Sequence, residues 1–196
     1  MTKSRATAAA LLWLACAALA LPGCSRQERI DDCAPTERVV DPALLAFLSR
    51  ARSAHHAADL QESAGDSAAA LRALDGLVGG AVPAGNSPEV DEVLADTRAR
   101  IADLLSQGGR FDEADQQIGQ GLTHAKSPTY FRGHLFEVRG LLEERREKAL
   151  RSKGNGQEAD QARDRSLSAY EEAMKIQAEV ISAAAPKPAG SAKPGP

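Results

Sequence analysis

Cysteine is sparse, with three in 196 residues, at positions 16, 24 and 33. That number and spacing cannot build a disulfide scaffold. Aromatic residues make up 4% of the chain, and the single tryptophan is Trp13. β-Branched residues are scarce beside alanine and leucine, which disfavours a sheet protein. Positive charge is not in excess: 24 Lys and Arg stand against 27 Asp and Glu, a formal charge of −3. The basic surface a nucleic-acid binder needs is missing. No G-x-S-x-G, no phosphate-cradling glycine loop and no H-E-x-x-H is present, so nothing recommends an enzyme. No cofactor, metal site or small-molecule substrate is expected.

What is there begins with an address. Lys3 and Arg5 precede an uncharged stretch from Ala6 to Leu21. As a helix it would rise about 24 Å, short for a membrane span but suited to a signal-peptide core. It closes on Leu21-Pro22-Gly23-Cys24. This tetrapeptide resembles the lipobox of bacterial lipoprotein precursors, with Pro22 departing from the usual Ala or Ser. The resemblance implies removal of residues 1–23, acylation of Cys24 and a lipid bilayer as the first partner. Acyl chains at about 0.8 kcal/mol per buried methylene would hold the protein there. A plain secretory peptide or an uncleaved anchor helix are the alternatives. Loss of Lys3 and Arg5 takes the formal charge from −3 to −5. In the sorting pattern of enteric-type bacteria, Ser25 rather than Asp implies the outer membrane, facing the periplasm.

Residues 24–41 read as the lipidated cysteine and a polar tether, and 185–196 (APKPAGSAKPGP) as a disordered tail, since its prolines forbid a helix. Cys33 has no partner thiol in the remaining chain; an intermolecular disulfide and an inconsequential tether cysteine are both open.

Between them, residues 42–184 repeat. Gly65-Asp66, Gly109-Arg110 and Gly154-Asn155 each open a segment that reaches an alanine five residues after the glycine: Ala70, Ala114 and Ala159. The glycines are 44 and 45 residues apart, and glycine suits a left-handed helix exit. Asp41-Pro42, Ser87-Pro88 and Ser127-Pro128 supply a side-chain acceptor before proline, the pattern of an N-cap followed by the first helical residue. Apolar periodicity then predicts helices over 43–63, 67–79, 88–107, 111–125, 129–152 and 157–184. Small residues are expected on the second helix of each pair and bulky ones on the first.

Leu105 to Leu122 (LSQGGRFDEADQQIGQGL) resembles a tetratricopeptide repeat. Gly109, Phe111 and Ala114 stand for its turn glycine, aromatic and small residue, with Ala102, Ile118 and Gly121 at the flanking positions. Arg98 departs from the bulky residue expected there, Ser67 and Gly156 replace the aromatic in the outer copies, and the period exceeds 34. The resemblance implies an all-α fold of three antiparallel helical hairpins stacked as a short tetratricopeptide-like solenoid. A plain six-helix bundle is the alternative.

His55 and Asp59 share a helix face but lack accompanying ligands, and are expected on a solvated surface. Of the aromatic cluster, Phe131 and Phe136 are expected in the core, while Tyr130 is the candidate partner-binding residue. Asp160, Arg163, Asp164 and Arg165 are expected to make the last helix a polar cap. The expected function is a membrane-anchored periplasmic adaptor binding an envelope protein. The alternatives are a structural spacer touching the cell wall through its tail, and a hydrolase or metal-binding protein.

Overall fold

In the computed structural model, residues 41–85 and 87–185 are described; the signal segment, Leu21, Pro22, Gly23, Cys24, the tether up to residue 40 and the tail from residue 186 lie outside them. The described residues are all-helical: α1 (Pro42–Ser63), α2 (Ser67–Val78), α3 (Pro88–Gln107), α4 (Phe111–His124), α5 (Tyr130–Ser152) and α6 (Gly156–Ala184). Each boundary falls within one residue of the periodicity. None of these helices is long and apolar enough to cross a membrane.

The turns account for that agreement. Gly65, Gly109 and Gly154 have φ of 80°, 75° and 81°, a region that costs other residues roughly 1–2 kcal/mol. After each glycine the chain makes the same pair of bonds. The amide of Gly65 donates to Glu62 and that of Asp66 to Gln61; Gly109 and Arg110 donate to Ser106 and Leu105; Gly154 and Asn155 donate to Arg151 and Leu150. This is a Schellman closure repeated three times. No atom lies within 4 Å of a β-carbon built on any of the three, so Gly109→Ala is expected to cost only the backbone term, about 1 kcal/mol. Urea unfolding should show that loss without a change in m-value.

Helix entry is less uniform. Asp41 and Asp66 cap as acceptors, from the amides of Ala43 and Ala69, both at 2.8 Å. Ser87 does not cap its helix; its hydroxyl donates to Glu89 at 2.5 Å. Ser127 is displaced from the role entirely: α5 starts two residues later, with Thr129 accepting from the Arg132 amide at 3.3 Å.

α1 packs on α2, α3 on α4 and α5 on α6; α3 also meets α1 and α2, and α5 meets α3 and α4. Because three residues join the helices of each pair, the partners run antiparallel. The main core joins Leu74, Ile101, Ile118, Leu135 and Leu142, all at most 1% exposed, and a smaller one gathers Phe47, Leu77 and Leu94. The expected division of small and bulky residues is corrected. Ala95, Ala99 and Ala102 of α3 are fully buried, as are Leu74 of α2 and Ile118 of α4. A helix with neighbours on three sides needs small residues toward the closest of them, whichever member of its pair it is.

Candidate functional site

The aromatic cluster at the start of α5 divides three ways. Phe131 is half-buried against the main core, as expected. Tyr130 is 60% exposed; its ring stacks on His134 at 5.9 Å and meets Phe131 edge-on at 5.3 Å. Phe136 is not a core residue. It is half-buried on the floor of an open groove of about 780 Å³ between α4, α5 and α6. Arg132 and Arg139 lie over its ring, each 5.4 Å from the centroid. Two guanidiniums satisfy an aromatic face that water would otherwise cover.

The most buried charges in this groove are paired. Glu143 is 3% exposed and accepts from Arg165 at 2.8 Å; that bond holds the Arg165 guanidinium above its ordinary pKa. Arg146 reaches Asp115 at 2.5 Å, lies over Phe111 at 5.6 Å and approaches Glu143 at 3.8 Å. Glu143 and Asp115 are thus each held by an arginine, while Glu171 and Glu172 line the α6 side of the groove.

The flank of α5 and α6 beside Tyr130 differs. Glu137 accepts from Gln177 at 2.6 Å and Glu144 from the Tyr170 hydroxyl at 3.1 Å. Burial, aided by Glu144, raises the Tyr170 pKa to about 12. These two bonds stitch one face of α5, carrying Tyr130, His134 and Leu141, to one face of α6, carrying Leu167, Met174 and Ile181; within each face the spacings are multiples of a helical turn. Five of the exposed large apolar side chains thus share one side of this pair: Tyr130, Leu141, Leu167, Met174 and Ile181. The polar-cap expectation for α6 therefore holds only for its first turns.

His55 is half-buried rather than solvated, while Asp59 stays exposed as expected. Both bind α3. The Thr97 hydroxyl gives its proton to the Val93 carbonyl at 2.7 Å, so the 2.9 Å contact with His55 Nε2 must be a bond donated by the imidazole. Its Nδ1 then turns a lone pair toward Arg100, 3.4 Å away. Arg100 also donates to Asp59 at 2.6 Å and Glu62 at 2.5 Å. Burial, with Arg100 adding to it against Asp96 and Asp59, lowers the His55 pKa from 6.5. The unfolded chain therefore takes up this proton at a higher pH than the folded one. Stability should fall as pH drops from about 6.5 through the lowered folded value. Urea midpoints at stepped pH should lose that slope in His55→Gln.

The same contact recurs one step along the chain. Arg145 of α5 donates to Asp103 at 2.7 Å and to the Ser106 hydroxyl at 2.5 Å on α3. Arg100 and Arg145 are 45 residues apart, and Asp59 and Glu62 precede Asp103 and Ser106 by 44. This recurrence escaped sequence reading, since an arginine's partner cannot be found until the helix pairing is known. Arg98, the departure from the repeat pattern, is half-buried and donates to Gln117 at 2.9 Å and to Gln120. Among the described residues, no three His, Cys, Asp or Glu side chains form a group able to hold a metal ion.

No protein-family model, curated protein or solved structure matches the chain.

Proposed function

We propose that the chain is a lipid-anchored adaptor of the bacterial cell envelope: a tetratricopeptide-like solenoid of three hairpins, held by acylated Cys24 and facing the periplasm. The observation that carries the architecture is the recurring contact between first helices, Arg100 on Asp59 and Glu62, then Arg145 on Asp103 and Ser106. A solenoid is built by applying one step between successive pairs, so equivalent residues must meet equivalent partners. The threefold Schellman closure supports the same step. The anchor rests on the Leu21-Pro22-Gly23-Cys24 resemblance, and Ser25 favours the outer membrane.

In this reading the partner is an envelope protein that offers an apolar segment to the exposed Tyr130 side of α5. Tyrosine suits that role, presenting a large rigid surface at small entropic cost. Two measurements test it. Intact mass of membrane-extracted protein should start at Cys24 with a diacylglycerol-sized increment; a mass beginning elsewhere removes the anchor. A photoreactive residue in place of Tyr130 should crosslink in native envelopes to a protein other than this chain. No adduct, or adducts with this chain alone, would remove the adaptor role.

A further inference from the structure

Among the described residues, no helix covers an apolar stripe on the last one. Leu167, Met174 and Ile181 recur every seven residues on α6 and are 52%, 61% and 71% exposed. Ala178 lies between the last two on the same face, which makes the alternation of large and small side chains that interlocks with another helix. Among the described residues, α6 packs on α5 alone. It also overhangs: it has 29 residues against 23 in α5. With Gly133 facing Ala173 to Gln177, roughly the last turn and a half of α6 projects past the start of α5. Ile181 is on that projection.

We propose that this stripe is the interface of a homodimer in which two copies pair along α6, antiparallel, across a two-fold axis at Met174. Self-pairing is favoured because the stripe is complementary to its own reverse. An axis at Met174 sets Leu167 of each copy opposite Ile181 of the other, and Met174 against Met174. It also places Lys175 of each copy within about 3 Å, along the helix axis, of Glu171 of the other. Lys175 is 67% exposed and held only by a 3.8 Å approach to Glu172, so it is available to bridge two copies. An isologous contact makes every such pair twice. A lipid surface fits less well, since the exposed Asp164 and Glu171, seven residues apart, border the stripe where an interfacial helix carries lysine and arginine. The stripe covers about 21 Å of helix, a small seam, so a weak self-association is expected.

The test uses the full-length protein in membranes and in detergent. With Cys33→Ser to silence the tether thiol, Met174→Cys should crosslink to a second copy under a mild oxidant, whereas Arg72→Cys on α2 should not. Sedimentation of the unaltered protein should show a concentration-dependent dimer. Met174→Glu should weaken it at least about 30-fold, the size expected of a central interface residue, with a melting temperature unchanged at concentrations where the parent is monomeric, because the side chain is exposed in the single copy. A protein that stays monomeric at tens of micromolar, together with no Met174→Cys crosslink, overturns the proposal. So does a monomer that dimerises only after residues 186–196 are removed, which would assign the stripe to the chain's own tail. A crosslink from Met174→Cys to a different protein alone overturns it as well.

Discussion

Replacing Leu135 with alanine is expected to cost about 3–4 kcal/mol, within the range for removing a leucine from a rigid core. Leu135 is wholly buried in the main core, on the side of α5 that meets α4. The reason it fits is Gly121. A β-carbon on Gly121 would lie 2.6 Å from one Leu135 methyl and 3.2 Å from the other, so glycine on α4 makes the room that leucine on α5 fills. Gly121→Ala alone should therefore destabilise too, despite alanine's better helix propensity. In the Leu135→Ala background the new methyl enters vacated space. The double variant should accordingly be more stable than the sum of the two losses, by about 1 kcal/mol or more. Urea unfolding of the four proteins measures this. Additivity would mean that the two positions do not share one volume.

Gly140→Ala should lose about 2 kcal/mol, the second large effect. Position 140 is inside α5, where alanine would ordinarily gain about 1 kcal/mol over glycine. Here the added carbon would stand 2.6–2.8 Å from the Tyr170 ring. The ring has little freedom to retreat: its hydroxyl bonds Glu144 at 3.1 Å, and just beside it Ser166 donates to the Gly140 carbonyl at 3.0 Å. Overpacking of this kind costs about 1–3 kcal/mol, outweighing propensity. In a Tyr170→Ala background the same glycine substitution should become neutral or stabilising. At about 2–4 °C per kcal/mol for a domain near 150 residues, melting temperatures resolve both outcomes. A stabilising Gly140→Ala in the parent would show that the ring yields.

Helix boundaries were legible because their signals are local. A glycine forced into positive φ and a proline with no amide to lose act on their own residue, whatever the rest of the chain does. Ser127-Pro128 shows the limit. The dipeptide has the right form, but Thr129 offers the same acceptor two residues on, and it is Thr129 that caps the helix. Phe136 and His55 fail to match their sequence reading for another reason. Whether an aromatic ring is covered by leucine or by Arg132 and Arg139, and whether an imidazole faces water or Thr97, depends on which helices are neighbours. The α6 stripe of Leu167, Met174 and Ile181 was not anticipated, because its exposure depends on which helices pack there. Cys24 and the lipobox lie outside the described residues, and the case for them still rests on the sequence.

The pattern of contacts has a mechanical consequence. α1 and α2 reach no farther than α3, and α5 and α6 no farther back than α3 and α4. Among the described residues no long-range strap ties α1 and α2 to α5 and α6, so a disturbance at one end is not transmitted as a whole to the other. Amide exchange should grade along the molecule, fastest in α1 and at the projecting end of α6, and slowest in α3, which is sheltered by neighbours on both sides.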